Sequence, residues 1–307
     1  MPPPDPTLIE RVAGALGVNE GLIEKDWHVV QVIAAIAAAD HKGMRPVFSG
    51  GTSLSKGWGV IKRFSEDIDF KVDEPPAPSK GVAERNRSAY RKTILKHLQG
   101  AGLKLGKVEI ASASQFFSAD LEYQPVFRVP TGFRPHLLLQ MRFTSPARPS
   151  AVRSIRSLIV QYGQKPPETE FSCIALVETA ADKMSALSWR VIDRNRAAPD
   201  DDPTLVRHLH DLAAIENQID MSDFVRLAAE TIARDVASRA KSRKPMSLED
   251  RLDLMVQKLR TETGWTKDYD DFVRPYSYAP EADRISFEAA VGACERLAGR
   301  IKNRNSV

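Results

Sequence analysis

Residues 47–72, VFSGGTSLSKGWGVIKRFSEDIDFKV, constrain the fold more than any other stretch of the chain. RPVFSGG reads as a short buried strand ending in the small-residue turn Gly50-Gly51-Thr52-Ser53, TSLSKGWGV as the start of a helix, and EDIDFKV as a second strand. On a strand, residues two apart share a face, so Asp67 and Asp69 point one way while Ile68 and Phe70 point toward a core. Two carboxylates about 6–7 Å apart on one strand face repel, and burial would raise a pKa unless a cation lies between them. Mg2+ takes a few carboxylates together with phosphate oxygens and water, which suits this pair. The glycines let backbone amides approach a ligand, and Thr52 or Ser53 can cap the following helix, whose amino end attracts phosphate. Lys56, about one turn further in, is within reach of a phosphate tail. The pattern GxxxxGK[ST] fails, because Ser55 stands in place of its second glycine, and no GxGxxG follows the strand. An isolated Asp-x-Asp is ordinarily a solvated strand edge; the glycine turn upstream is what favours a site.

The rest of the chain divides by pattern. DPTLIERVAGALG and NEGLIEKDWHVVQVIAAIAAADHKG read as helices, the first opened by Asp-Pro and the second closed by Gly43. APSKGVAERNRSAYRKTILKHLQGAG is a polar, basic helix, and LKLGKVEIASA, SADLEYQPVF, HLLLQMRFTS and RSIRSLIVQY are strand candidates. From about Cys173 every periodic segment fits a helix. This order predicts an α+β domain over residues 1–170 and a helical domain over 171–307, joined near GQKPPETE. A chain of 307 residues can build cores of ordinary size without disulfides, and Cys173 and Cys294, lacking CxxC spacing, read as buried thiols of a reducing compartment. The proline-rich acidic start lacks a signal peptide's pattern, and VVQVIAAIAAAD is too short to span a bilayer, which predicts a cytoplasmic protein with no membrane partner. A net charge of +4 and a sequence pI near 9.0 fit either a polyanionic partner or a solubilising surface.

GGTSLSK followed by RFSEDIDF resembles the signature of polymerase-β-like nucleotidyltransferases, and in detail the AbiEii/MenT branch, the toxins of type IV toxin–antitoxin systems. IEKDWHV at 23–29 is similar to the amino-terminal motif of that branch, and ETAADKMSALSWR at 178–190 and RHLHDL at 207–212 to its later lysine and aspartate motifs. The resemblance implies a polymerase-β-like core, a mixed sheet flanked by helices, followed by an all-helical carboxy-terminal domain. It implies that Asp67 and Asp69 bind metal and support attack on the nucleotide α-phosphate, and that Gly50, Gly51 and Ser53 hold phosphates, with Thr52 and Lys56 beside them. Lys183 would contact the triphosphate, Asp211 would be the distal catalytic aspartate, and Arg63 and Ser65 would contact phosphate or orient the loop. The implied reaction is Mg2+-dependent, with Mn2+ as an alternative, and transfers a nucleoside monophosphate from a nucleoside triphosphate to an acceptor hydroxyl, releasing pyrophosphate. The implied acceptor is the 3′ end of tRNA, and a cognate antitoxin is the implied partner. A small-molecule or protein acceptor, or a non-catalytic nucleotide- or RNA-binding relative, stays open. One departure bears on this: superfamily members often carry a third carboxylate on a later strand, where HLLLQMRF has Gln140.

Plainer readings stand beside these. A lysine on a mixed helix face, as Lys183 is, ordinarily snorkels to water, and Asp211 can pair with Arg207 four residues earlier. His208 and His210, two apart on a helix, do not share a face as zinc ligands would. Asp26 and Trp27 brace the sheet rather than react, and Trp189 and Trp265 belong to a core or interface. Arg85, Arg87, Arg91, Lys92 and Lys96 can track an RNA backbone with Tyr90 stacked on a base, or form a solvated face. The run Arg239, Lys241, Arg243 and Lys244 reads as an acceptor-binding loop or a linker.

Overall fold

The computed structural model describes residues 4–130, 133–239 and 246–303. Its residues gather into two compact units, 1–174 and 175–307. In the first, α1 (Pro6–Leu16) begins where Asp5 accepts the Thr7 amide and Pro6 takes an opening helical position. α2 (Glu20–Ala37) begins where Asn19 accepts the Gly21 amide. Then follow β1 (Arg45–Ser49), α3 (Gly50–Lys56), β2 (Asp67–Asp73), α4 (Lys80–Gly100), β3 (Lys104–Ala111) and β4 (Phe116–Glu122). β5 (Leu137–Phe143), β6 (Ala151–Ile155), α5 (Leu158–Tyr162) and β7 (Thr169–Cys173) complete the unit.

The strands form one seven-stranded sheet in the order β3-β4-β5-β2-β1-β7-β6. β2 runs parallel to β5 and β1 parallel to β7, while the other neighbours are antiparallel. Phe48, Ile68, Phe70, Leu139 and Met141 join one buried cluster with Val29, Ile33 and Ile36 of α2 and Ile94 and Leu98 of α4. Burying these side chains, at about 25 cal/mol per Å2 of apolar surface, is what ties the two helices to the sheet. Asp67, Asp69 and Gln140 alternate with the core residues and are left on the other, partly exposed face.

Three parts of the sequence reading change here. RSIRSLIVQY is not one strand: β6 ends at Ile155, and Ser157 accepts the Val160 amide to cap α5. The stretch read as a join holds β7, which packs between β1 and β6. On α4, Arg87 grips Glu74 through two bonds of 2.8 and 2.6 Å, Arg91 is buried, and Tyr90 is 1% exposed with its hydroxyl 3.1 Å from His41 Nδ1. A helix that packs into a core must bury one face, and it buries these three. Tyr90 has no face to offer a base, and Arg85, Lys92 and Lys96 remain as the exposed cations. Both cysteines are buried thiols, pushed up to about 12 by burial.

The second unit holds α6 (Leu176–Asp193), α7 (Val206–Ile215), α8 (Met221–Arg239), α9 (Leu248–Thr261), α10 (Gly264–Phe272) and α11 (Phe287–Lys302). Trp265 is fully buried, with the guanidiniums of Arg194 and Arg196 over its ring at 4.6 and 4.8 Å; Trp189 is half-buried. In the basic run, Lys241, Arg243, Lys244 and the side chain of Arg239 lie outside the described residues. Among the described residues no helix is long and apolar enough to cross a membrane.

Candidate active site

Along β2 the burial alternates as a two-residue period requires, with Asp67 and Asp69 half-buried on one face. The register sets rows of side chains across that face. Asp69 lies opposite Ser49 of β1 and Gln140 of β5, and Gln140 lies opposite Ser118 of β4. Asp67 lies opposite Leu138, itself opposite Asp120, whose carboxylate is 3.3 Å from His136. Paired residues project to the same side of a sheet with strands about 4.8 Å apart. Gln140 therefore stands beside Asp69, in the neighbouring position that a third acid would take.

After β1 the chain turns through Gly50 at φ 72°. A Cβ on Gly50 would overlap the Asp69 carboxylate. Glycine is required here on two counts, a left-handed backbone and the space that Asp69 fills.

The hydroxyls of the turn face inward. Thr52 and Ser53 are fully buried; Thr52 donates to the Asp67 carbonyl and Ser53 to the Gly50 carbonyl at 2.9 Å. Neither caps α3, whose N-cap, Ser49, makes no side-chain cap bond. In place of the expected cap is a pin from α3 to the backbone of β2. Lys56 also departs from expectation: it is buried, with its ammonium paired to Asp26 in the interior instead of extended toward a ligand. Arg63 is buried and donates to the Phe64 carbonyl at 3.1 Å, shaping the segment that enters β2, and Ser65 is half-buried in that segment.

Glu24, Lys25 and Asp26 of α2 are consecutive, charged and buried. Glu24 accepts the amides of Val126 and Phe127 at 2.8 and 2.9 Å. Lys25 pairs with Glu66 at 2.7 Å and donates to the Arg134 carbonyl. Asp26 takes Lys56 and the Leu158 amide, the latter at 2.7 Å. Successive helical residues point about 100° apart, so a single turn reaches three directions. Burial lowers the pKa of Lys25, and Glu66 opposes the shift. The chain after β4 lies flush on this helix: a Cβ on Gly21 would meet the Arg128 carbonyl oxygen at 2.6 Å. From its end, Arg134 Nη1 reaches Asp67 Oδ1 at 2.5 Å. Sequence reasoning missed Arg134, since no spacing links it to Asp67. For the three anchors of α2, the only signal was the motif IEKDWHV.

In the second unit, Lys183 of α6 and Asp211 of α7 meet at 2.8 Å, both buried. His210 Nδ1 lies 3.1 Å from Asp211 Oδ1, and His208 Nδ1 lies 3.5 Å from Lys183 Nζ. Lys183 thus does not snorkel; it is half of a buried ion pair. Arg207 donates to the Phe272 carbonyl at 3.1 Å and lies over the Tyr276 ring.

The surroundings of Asp67 and Asp69 fit a hard divalent cation. Two carboxylates share a face with the Ser49 hydroxyl and the Gln140 amide, which bring hard oxygen donors. The guanidinium at Asp67 marks where positive charge is already accepted. Among the described residues no group of three or more His, Cys, Asp or Glu gathers into a cation site.

The sequence model of the family described as "Nucleotidyl transferase AbiEii toxin, Type IV TA system" matches residues 31–293, beginning just after the three anchors of α2. Among solved structures, MenT4, a nucleotidyltransferase toxin from Mycobacterium tuberculosis H37Rv, is similar at a TM-score of 0.63 and 18% identity, over 98% of this chain and 90% of that one. A protein from H. pylori, provisionally assigned as a nucleotidyltransferase, matches at a TM-score of 0.45 and 14% identity, over 92% of this chain and 95% of that one. No curated protein matches the chain.

Proposed function

The chain belongs to the AbiEii family of nucleotidyltransferase toxins of type IV toxin–antitoxin systems, and we propose that it transfers a nucleoside monophosphate from a nucleoside triphosphate to the 3′ end of tRNA, with Mg2+ or Mn2+ held by Asp67 and Asp69. The observation that carries this reading is the contact between the Gly50 turn and the Asp69 carboxylate, on the face that Asp67 shares. A bound divalent ion would neutralise charge on the α-phosphate and lower the pKa of the acceptor hydroxyl. Asp67 and Asp69 would position it, while the backbone of Gly50 and Gly51 is left to meet phosphate, since Thr52 and Ser53 spend their hydroxyls inside the fold. Lys56 and Arg63 hold the shape of the site, and Ser65 borders it. On the family resemblance we assign the buried Lys183–Asp211 pair to the same reaction, Asp211 as its distal catalytic aspartate. The exposed cations Arg85, Lys92 and Lys96 suit a polyanionic acceptor. The family implies a cognate antitoxin as the chain's partner.

Each α-labelled nucleoside triphosphate, incubated with the protein, total RNA and Mg2+, tests the reading. Label should enter small RNA and be lost in Asp67→Ala and Lys183→Ala. Label in protein or in a small molecule would move the acceptor to those classes. If Asp69→Asn leaves both transfer and toxicity unchanged, the catalytic reading fails.

A further inference from the structure

We propose that Arg134 is a triphosphate-binding residue that neutralises Asp67 until a divalent cation arrives and then turns its guanidinium to the incoming phosphates. This rests on the metal reading of Asp67 given above. The geometry separates the backbone of Arg134 from its side chain. Its amide donates to Glu66 Oε2 at 3.1 Å and its carbonyl accepts from Lys25, which is itself paired with Glu66. The backbone is thus clamped by a buried ion pair, independently of what the guanidinium does. The side chain is 43% exposed, and Nη1 lies 2.5 Å from Asp67 Oδ1 and 3.8 Å from Glu66 Oε1.

A guanidinium and a divalent cation compete for the Asp67 carboxylate, because their charges repel at contact distance. Cation binding therefore favours release of Arg134 from Oδ1. The released group is tethered within a side-chain length of the metal, pointing to the exposed side of the sheet, where a triphosphate bound to that metal would lie. Five donors in a planar fork suit phosphate oxygens well. The same side chain then opposes metal binding in the empty site and favours nucleotide binding in the filled one, so the two ligands assist each other.

The test uses the full-length protein and needs no turnover. Mn2+ binding is measured by electron paramagnetic resonance without nucleotide, and binding of a non-hydrolysable triphosphate analogue by calorimetry at saturating Mn2+. Arg134→Gln should bind Mn2+ more tightly than wild type and the analogue about tenfold more weakly, the scale of one charge-assisted hydrogen bond. Arg134→Lys, which keeps the charge and loses the fork, should fall between the two for the analogue. Arg134→Gln with unchanged or weaker Mn2+ affinity, or with unchanged affinity for the analogue, overturns the proposal, because a residue that only clamps its loop would move neither in this direction. Asp67→Asn is run beside it. Wild-type Mn2+ binding in that variant would sink the metal reading itself, whereas its loss together with a silent Arg134→Gln would sink this inference alone.

Discussion

Gly50→Ala addresses the contact on which the site is built. The backbone at φ 72° costs an L-residue about 1–2 kcal/mol. The added Cβ overlaps the Asp69 carboxylate, and driving that side chain off its rotamer adds about 0.5–1.5 kcal/mol. Urea unfolding should therefore show a loss of about 1.5–3.5 kcal/mol, read as a lower midpoint at unchanged slope. Gly14→Ala is the control: it lies within α1, where an added Cβ meets nothing within 4 Å, and should gain about 0.5–1 kcal/mol. Mn2+ titration of Gly50→Ala gives the second readout, since a displaced Asp69 carboxylate should weaken binding by about tenfold or more. A variant that unfolds at the wild-type midpoint and binds Mn2+ equally well would mean that Asp69 does not rest against this turn.

Two further expectations concern the helix that braces the site. Burial pushes His28 down to about 4 from 6.5, although the Glu24 carboxylate lies 3.9 Å away. The unfolded chain then binds a proton that the folded one refuses, so stability is full above pH 6.5 and falls by about 3 kcal/mol as the pH drops toward 4; His28→Phe should flatten that part of the stability–pH curve. Asp26→Ala removes the carboxylate that takes Lys56 and the Leu158 amide and should cost about 3–5 kcal/mol in urea unfolding. Combining Lys56→Met with Asp26→Asn should recover part of the loss shown by Asp26→Asn alone, and a strictly additive pair would show that the two are not coupled.

What could be read from the sequence is what depends on neighbours along the chain. The alternation at Asp67–Phe70 fixed which side chains share a face, and Asp5-Pro6 marked a helix start. The all-helical second half followed from periodicity. What stayed hidden depends on partners distant in sequence. Arg85, Arg87, Arg91, Lys92 and Lys96 looked alike as letters, yet Glu74 and the core take Arg87 and Arg91 out of solvent. Thr52 and Ser53 have the chemistry of capping residues, but an acceptor on β2 and another on the turn claim their hydroxyls first. β7 has only five residues behind a proline pair and becomes a strand because β1 and β6 leave a place for it. Arg134 and the partners of Glu24, Lys25 and Asp26 are pure tertiary facts.

A fragment trimmed to residues 31–293, the span that the family shares, would keep every strand of the sheet and both candidate acids. It would nonetheless lose Glu24, Lys25 and Asp26. Lys56, Glu66 and the amides of Val126, Phe127 and Leu158 would then each be short of a partner in the interior. Such a fragment should retain strand pairing while the segments that Glu24, Lys25 and Asp26 hold loosen, which makes the start of α2 a scaffold for the rim beside Asp67.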